Sequence, residues 1–281
     1  IGAEESGEFK AVASGTVSSG KPVIVNSDGT VSVVSTTTLT EAAGSIVEFE
    51  AAATLDQGVA YDSANDRVVI AYRDDGNSSY GTAIVGTVSG DSISFGTPVV
   101  FESAYSDNFA PVFDSSNNKI VIPYRDLGDS NKGKAIVGTV SGTSISFGSI
   151  TEFESGNTLS ISTSFDTSVN KVVIAFQDGG DSNNGKAIVG TVSGTSISFG
   201  SVATFNAAST SHIDVAYDVA NNKHVIAYKH NSGFAKVATV SGTDISFGSA
   251  AEFETGAIIL TRVVNDPNIN RNKKKDKKKK V

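Results

Sequence analysis

The chain has 281 residues, with neither Cys, Met nor Trp, a net charge of −8, and Gly far more abundant than Pro. The absence of Cys excludes a disulfide framework and a thiolate metal site. No apolar run reaches the roughly 18 residues of a membrane-spanning helix, which excludes insertion by that route. The charge is uneven. Arg271–Val281 carries eight basic residues and one acidic; without them the body has 14 basic and 29 acidic residues, a net of −15. Such a body repels nucleic acid, so no nucleic-acid partner is expected for it.

In chain order, residues 1–44 read as a small β module plus linker. Ala13–Gly20 is small and polar. Val23–Val25 and Thr30–Val34 are strand candidates, and Asn26-Ser27-Asp28-Gly29 between them supplies a tight turn. Ser35–Thr40 is a polar connector.

Residues 45–270 form a repeat. GTVSGTSISFG recurs at Gly86–Gly96, Gly138–Gly148, Gly190–Gly200 and, with Ala first, Ala238–Gly248. Phe95, Phe147 and Phe199 are 52 residues apart and Phe247 follows after 48. A period near 50 with several short strands per unit signals a repeat architecture. The second unit divides into strand A (Phe109–Phe113), strand B (Lys119–Tyr124), strand C (Lys134–Val140) and strand D (Ile145–Phe147, continuing through Ile150–Phe153). Strand B is apolar without alternation (Val68–Tyr72 in the first unit), as a strand buried on both faces would be. Strand A pairs large Tyr61, Phe113, Phe165 and Tyr217 with small Ala60, Val112, Ser164 and Ala216, a pattern suited to dense packing between units. The expected class is all-β: a β-propeller-like array of four-stranded blades, with four full units, partial units at each end and an incomplete ring. A stacked solenoid shares the same repeat logic. Where a fifth strand B would begin, the sequence turns to lysine. Residues 271–281 read as a disordered or artefactual tail, since a Lys run cannot serve as a buried strand.

GTVSGTSISFG, NKVVIAFQD and GKAIVG, preceded by ASGTVSSGKPVIVNSDGTVSVVS, resemble repeat-containing tail-fibre-like, receptor-binding proteins of marine tailed bacteriophages, over about residues 11–270. The resemblance implies an extracellular or virion-surface location. It also implies a non-catalytic adhesion module recognising a host cell-surface glycan or protein; oligomerisation is compatible with it. The alternatives are a polysaccharide-acting enzyme and a structural spacer.

Comparison between units directs the search for a site. Strand order puts the D–A and B–C loops at one rim and the A–B and C–D turns at the other. The C–D turn is nearly constant, while the D–A segments (AATLDQ, AYSDNF, GNTLSI and ASTSHI) differ. Loops on a rigid scaffold carry function. Tyr80, Tyr105, Asn108, Phe109, Lys132, Asn157, Asn184 and His212 are the ligand-binding candidates, offering aromatic faces and hydrogen-bonding groups. The Asp of each A–B turn (Asp62, Asp114, Asp166, Asp218) reads as a turn cap. The B–C motif Asp-x-Gly-Asn/Asp-Ser makes Asp74, Asp126, Asp129, Asp178 and Asp181 weak calcium candidates, with two carboxylates per loop against the six to eight oxygens calcium takes. No other cofactor is expected. His212, His224 and His230 all fall in the fourth unit; His212 and His230 share a rim, with Asp214 near the channel. No catalytic residue is identified. A glycosidase would need unlike carboxylates in distinct roles, and the carboxylates here recur in register.

Overall fold

The repeated hairpin sets the architecture. In the computed structural model, residues 12–13, 15–17, 23–28, 30–33, 44–256, 258 and 261–264 are described. The Lys-rich segment, Asp266, the connector Ser35–Thr40 and Gly29 lie outside them. The chain divides into two compact units, Ile1–Gly44 and Ser45–Val281.

In the smaller unit β1 (Val23–Val25) and β2 (Val31–Val33) form an antiparallel hairpin. Asp28 Oδ1 accepts from the backbone N–H and the hydroxyl of Thr30, which closes the turn.

The larger unit is all-β and antiparallel, apart from short 3₁₀ turns. Its first repeat contains β3 (Thr54–Asp62), β4 (Arg67–Asp74), β5 (Tyr80–Ser89), β6 (Ser92–Phe95) and β7 (Val99–Asp107). The second contains β8 (Val112–Asp114), β9 (Lys119–Asp126), β10 (Lys132–Ser141), β11 (Ser144–Phe147) and β12 (Thr151–Glu154). The third runs β13 (Thr158–Asp166), β14 (Lys171–Asp178), β15 (Asn184–Ser193), β16 (Ser196–Phe199) and β17 (Ala203–Ser209). The fourth runs β18 (Ser211–Asp218), β19 (Lys223–His230), β20 (Ser232–Ser241), β21 (Asp244–Phe247) and β22 (Ala251–Glu254).

Each repeat is a four-stranded sheet whose outermost strand is built in two pieces. In the third, β16 pairs with one half of β15 and β17 with the other. The second repeat departs from the strand A the sequence suggests. Pro111 offers no N–H to a ladder, so the innermost strand shrinks to β8. Ser106 and Asp107, at the end of β7, pair with β9 instead and join the first two repeats into one ten-stranded sheet.

Side chains from facing sheets form the core at each junction. Val69, Ala71, Ala83, Val85 and Phe101 of the first repeat meet Ile120, Ile122, Tyr124, Ile136 and Val140 of the second. The same pattern recurs at the next two junctions.

The constant hairpin owes its uniformity to these junctions. Gly90, Gly142, Gly194 and Gly242 turn at φ +57 to +63°, where a side chain is strained. The glycine that ends each of the first three copies does something else. A Cβ on Gly96, Gly148 or Gly200 would lie 1.9, 1.9 or 2.1 Å from the carbonyl oxygen of Thr143, Thr195 or Thr243, in the C–D turn of the next repeat.

At the other end of each sheet, the buried Asp62, Asp114 and Asp166 accept from backbone N–H groups of the following turn, as does the half-buried Asp218. This is the turn-cap role that the residue type suggests.

Candidate functional site

The D–A and B–C segments lie together, tied by backbone hydrogen bonds: Asp75 N–H to Ala53 O, Ser106 to Ser79 O, Thr158 to Asn131 O and Thr210 to Asn183 O. Most of the rim candidates are engaged in this framework. Tyr105 is exposed, pairs across the ladder with Tyr80, and lies under the Arg73 guanidinium, which stands 5.0 Å from its ring centre and donates to its hydroxyl. Arg73 also reaches Asp56 and Asp75. Burial, and then the neighbouring Asp107 carboxylate, push the Asp56 pKa upward. Lys132 bridges Asp129 and Glu152. The Asn157 backbone carbonyl accepts from the Gly179 N–H, while its buried side-chain Oδ1 has no hydrogen-bond partner, and the Asn184 backbone N–H donates to Asp181 O.

Asn108 and His212 share a special position. With Asp56 and Ser160 they occupy one place in successive innermost strands, each at φ between 49 and 55°. That is left-handed backbone, uncommon outside glycine. The register shifts at this place, between Leu55 and Gly58, Leu159 and Ser162, and Ser211 and Asp214.

Just beyond this bulge the innermost strands converge. Gly58, Ala110, Ser162, Asp214 and Arg262 hold one register position in successive repeats, and all five line a single cavity of about 290 Å³. Gln57, Val59, Phe109, Pro111, Ile161, Thr163 and Ile213 complete the lining. Neighbouring strands are tied to each other around it. Thr163 Oγ1 donates to Ala110 O at 2.6 Å, Ser162 Oγ to Asp214 Oδ1 at 2.8 Å, and the Val263 N–H to Asp214 Oδ2 at 2.6 Å. Asp214 is therefore fixed from both sides, with lone pairs to spare on each oxygen. Of the eight rim candidates, Phe109 alone lines this cavity. The sequence placed Asp214 near a channel and Asp266 at a fifth A–B turn, and it counted Arg262 among the few arginines of the repeat body, but it selected none of Gln57, Ser162 and Arg262 as a site residue. Counting back four residues from Asp218 and Asp266 aligns Arg262 with Asp214.

The carboxylates considered for calcium are held by lysine in two of three repeats. Lys134 Nζ sits 2.6 Å from Asp126 and 2.9 Å from Asp129; Lys186 Nζ sits 2.6 Å from Asp178 and 2.8 Å from Asp181. Burial works against each ammonium, but the paired carboxylates overcome it and hold both lysines above their ordinary pKa. Hydrogen bonds from these lysines hold Asp129 and Asp181 below the usual carboxylate range. In the first repeat Thr82 stands at the lysine position, and the buried Asp74 keeps an oxygen without a hydrogen-bond partner. Among the described residues, no group of three or more His, Asp or Glu is arranged to hold a metal.

A Ser–His–Asp set does occur, but inside a junction. Ser164 Oγ lies 2.8 Å from His224 Nδ1, and His224 Nε2 lies 3.2 Å from Asp166 Oδ2. All three side chains are buried between the third and fourth repeats, closed to a substrate. Burial pushes the His224 pKa below its ordinary value, against the pull of Asp166. The unfolded state therefore binds the proton more tightly. The stability this group contributes is full above the unfolded histidine value near 6.5 and falls as pH drops through and below it. Urea unfolding at pH 7.5 and 5 checks this. His224→Val, which copies Val172 one repeat earlier, is expected to weaken the loss between the two pH values; an unchanged loss would assign it to other groups.

No family model matches the sequence, and no curated protein matches it. Among solved structures, AofleA from Arthrobotrys oligospora is similar at a TM-score of 0.49 and 11% identity, over 75% of this chain and 60% of that one. An exo-β-1,3-galactanase from Phanerochaete chrysosporium, a single-residue variant with β-1,3-galactotriose, is similar at a TM-score of 0.47 and 8% identity, over 83% of this chain and 53% of that one. The chain thus spans little more than half the length of each. These findings overturn the expectation of a tail-fibre-like adhesin recognising a host surface. No similarity links the chain to phage fibres, and the two proteins named are AofleA and a galactanase crystallised with a galactose trisaccharide. The geometry shifts attention from the loop rim to the cavity between the innermost strands.

Proposed function

We propose that the four-stranded repeats stand as propeller-like blades around an axis, and that the axial cavity binds a saccharide of one or two rings. The observation that carries this reading is the convergence of Gly58, Ala110, Ser162, Asp214 and Arg262 on one cavity. Five equivalent strand positions meet at one place when repeats are arranged radially, whereas successive turns of a solenoid lay equivalent positions out in a line. At about 290 Å³, the cavity lies near the lower end of ligand sites, roughly 300–1,000 Å³, which favours a small ligand. Its chemistry suits vicinal hydroxyls: the Asp214 carboxylate accepts, and the Arg262 guanidinium and Gln57 amide donate. Phe109, Ile161 and Ile213 offer apolar surface to the C–H face of a sugar ring. Asp214 is the one carboxylate among the described lining residues, where a glycosidase uses a pair. Binding is therefore favoured over hydrolysis.

Saturation-transfer NMR against a panel of neutral mono- and disaccharides tests the reading. At least one sugar is expected to bind. Asp214→Asn and Arg262→Met are each expected to weaken it by about 10–100-fold, the worth of a hydrogen bond to a charged group. Absence of saccharide binding by a chain shown to be folded, or binding that survives both substitutions, overturns it.

A further inference from the structure

Every junction between consecutive repeats joins the same two faces, a trailing face rich in Val and Ala and a leading face rich in Ile and aromatic residues. Two faces of this kind have no neighbour among the described residues. On the trailing side of the fourth repeat Val237 is 48% exposed, whereas Val85, Val137 and Val189 at the same register are 1%, 0% and 0% exposed. Phe253 there is 56% exposed, whereas Phe101, Phe153 and Phe205 are 7%, 6% and 2%. On the leading side of the first repeat Tyr61 and Val88 are 56% and 53% exposed, while Phe165, Val140 and Val192 are buried. The residue types match those of the buried positions, so the exposure comes from a missing neighbour and not from a surface adapted to water. Contiguous apolar surface of this kind marks an interaction site.

Parts of one further repeat already stand at this gap. Thr261 and Val263 hold the innermost-strand position after the fourth repeat, bonded to His212 O and Asp214. Phe49 holds the outermost-strand position ahead of the first, 5.2 Å from the Tyr72 ring and 5.8 Å from Phe95, as Phe101 stands 5.4 Å from both Tyr124 and Phe147. Arg262 lines the cavity together with Gln57, Gly58 and Val59 of the first repeat, so the two open faces flank one gap. Among the described residues, neither face has the two middle strands against it.

We infer that this gap is a docking slot for a β-hairpin of the repeat's own B–C type, which a separate polypeptide of that sequence can fill. Such a hairpin carries both required faces. In the third repeat Val172, Ile174, Phe176 and Ile188 point one way, and Val173, Ala175, Ala187 and Val189 the other. The first set fits against Val237 and Phe253, and the second against Tyr61 and Val88. The flanking strand segments supply backbone edges, as in strand addition to an open sheet.

The test uses the full chain and a synthetic peptide with the sequence of Lys171–Ser193. Hydroxyl-radical labelling of Tyr61 and Phe253 is expected to drop at least ~3-fold on saturation, as both leave water, while the rim residue Tyr105 keeps its labelling. Val237→Asp and Val88→Asp are each expected to weaken the peptide by ~10-fold or more, since a carboxylate would be buried. Should the peptide self-associate, the same segment co-expressed with the chain is expected to be recovered as a one-to-one complex. Unchanged labelling with a monomeric peptide, or no co-expressed complex, overturns the inference. Protection of Tyr61 and Phe253 that depends on the concentration of the chain alone also overturns it, by assigning the gap to a second whole copy.

Discussion

Gly148→Ala is expected to lower the unfolding free energy by about 3 kcal/mol, near the upper end of what an overpacked methyl costs. The added Cβ would stand 1.9 Å from the Thr195 carbonyl oxygen and 2.8 Å from its Cβ. Neither atom can yield as the tip of a flexible side chain would, since the oxygen belongs to a turn that is itself part of the next sheet. Relief requires the second and third repeats to separate along the junction buried by Val121, Ala135 and Val137. The control is Gly142→Ala in the same hairpin. That glycine has φ +62° but open space around its Cβ, so the expected loss is about 1–2 kcal/mol, the strain of a left-handed residue alone. Urea unfolding of both variants decides. If Gly148→Ala costs no more than Gly142→Ala, the close approach between repeats does not constrain the fold. Repeat arrays lose neighbour coupling before they lose each repeat, so a broadened transition for Gly148→Ala would locate the damage at the junction.

The same glycine marks the limit of what the sequence alone conveys. Its recurrence, the Ser-Gly turn and the alternating strands are local, and they specify the hairpin and the unit length. Its reason for being glycine lies 47 residues away, at Thr195, and no pattern within one unit points there. The innermost strands follow the same logic. Ser162 and Asp214 are separated by 52 residues and meet only because successive repeats are packed together. The rim loops drew attention because they vary, yet variation cannot separate a ligand contact from a residue engaged within the framework, as Lys132 is with Asp129 and Glu152. Pro111 did carry a readable signal: a missing N–H in a strand argues for a break, and the break is found. The lysine partners of the B–C carboxylates were also within reach. Lys134 and Lys186 each lie eight residues beyond their Asp, on the adjacent strand, and Thr82 replaces them in the first unit.

Lys186→Thr exploits that natural difference and is expected to cost about 3 kcal/mol, the usual penalty for removing one partner of a buried ion pair. The ammonium lies 2.6 Å from Asp178, a carboxylate almost wholly buried, and the lysine side chain is itself only 15% exposed. Threonine fits the strand, since Thr82 is buried at the same register in β5. The loss therefore reports the stranded Asp178 charge and not a packing fault. Asp178 keeps the N–H groups of Gly180 and Asp181 on Oδ1 but has nothing on Oδ2. Replacing both, with Asp178→Asn beside Lys186→Thr, is expected to recover about 1–2 kcal/mol of the single-variant loss, the coupling of residues in direct contact. The reverse exchange in the first repeat should run the other way. Thr82→Lys would bring an ammonium to the Oδ2 side of the buried Asp74 carboxylate, as Lys134 and Lys186 approach Asp126 and Asp178, and is expected to stabilise the chain by about 1 kcal/mol. Additive losses in the third repeat, together with destabilisation by Thr82→Lys, would mean that the lysines serve by their aliphatic stems and that their charge is incidental.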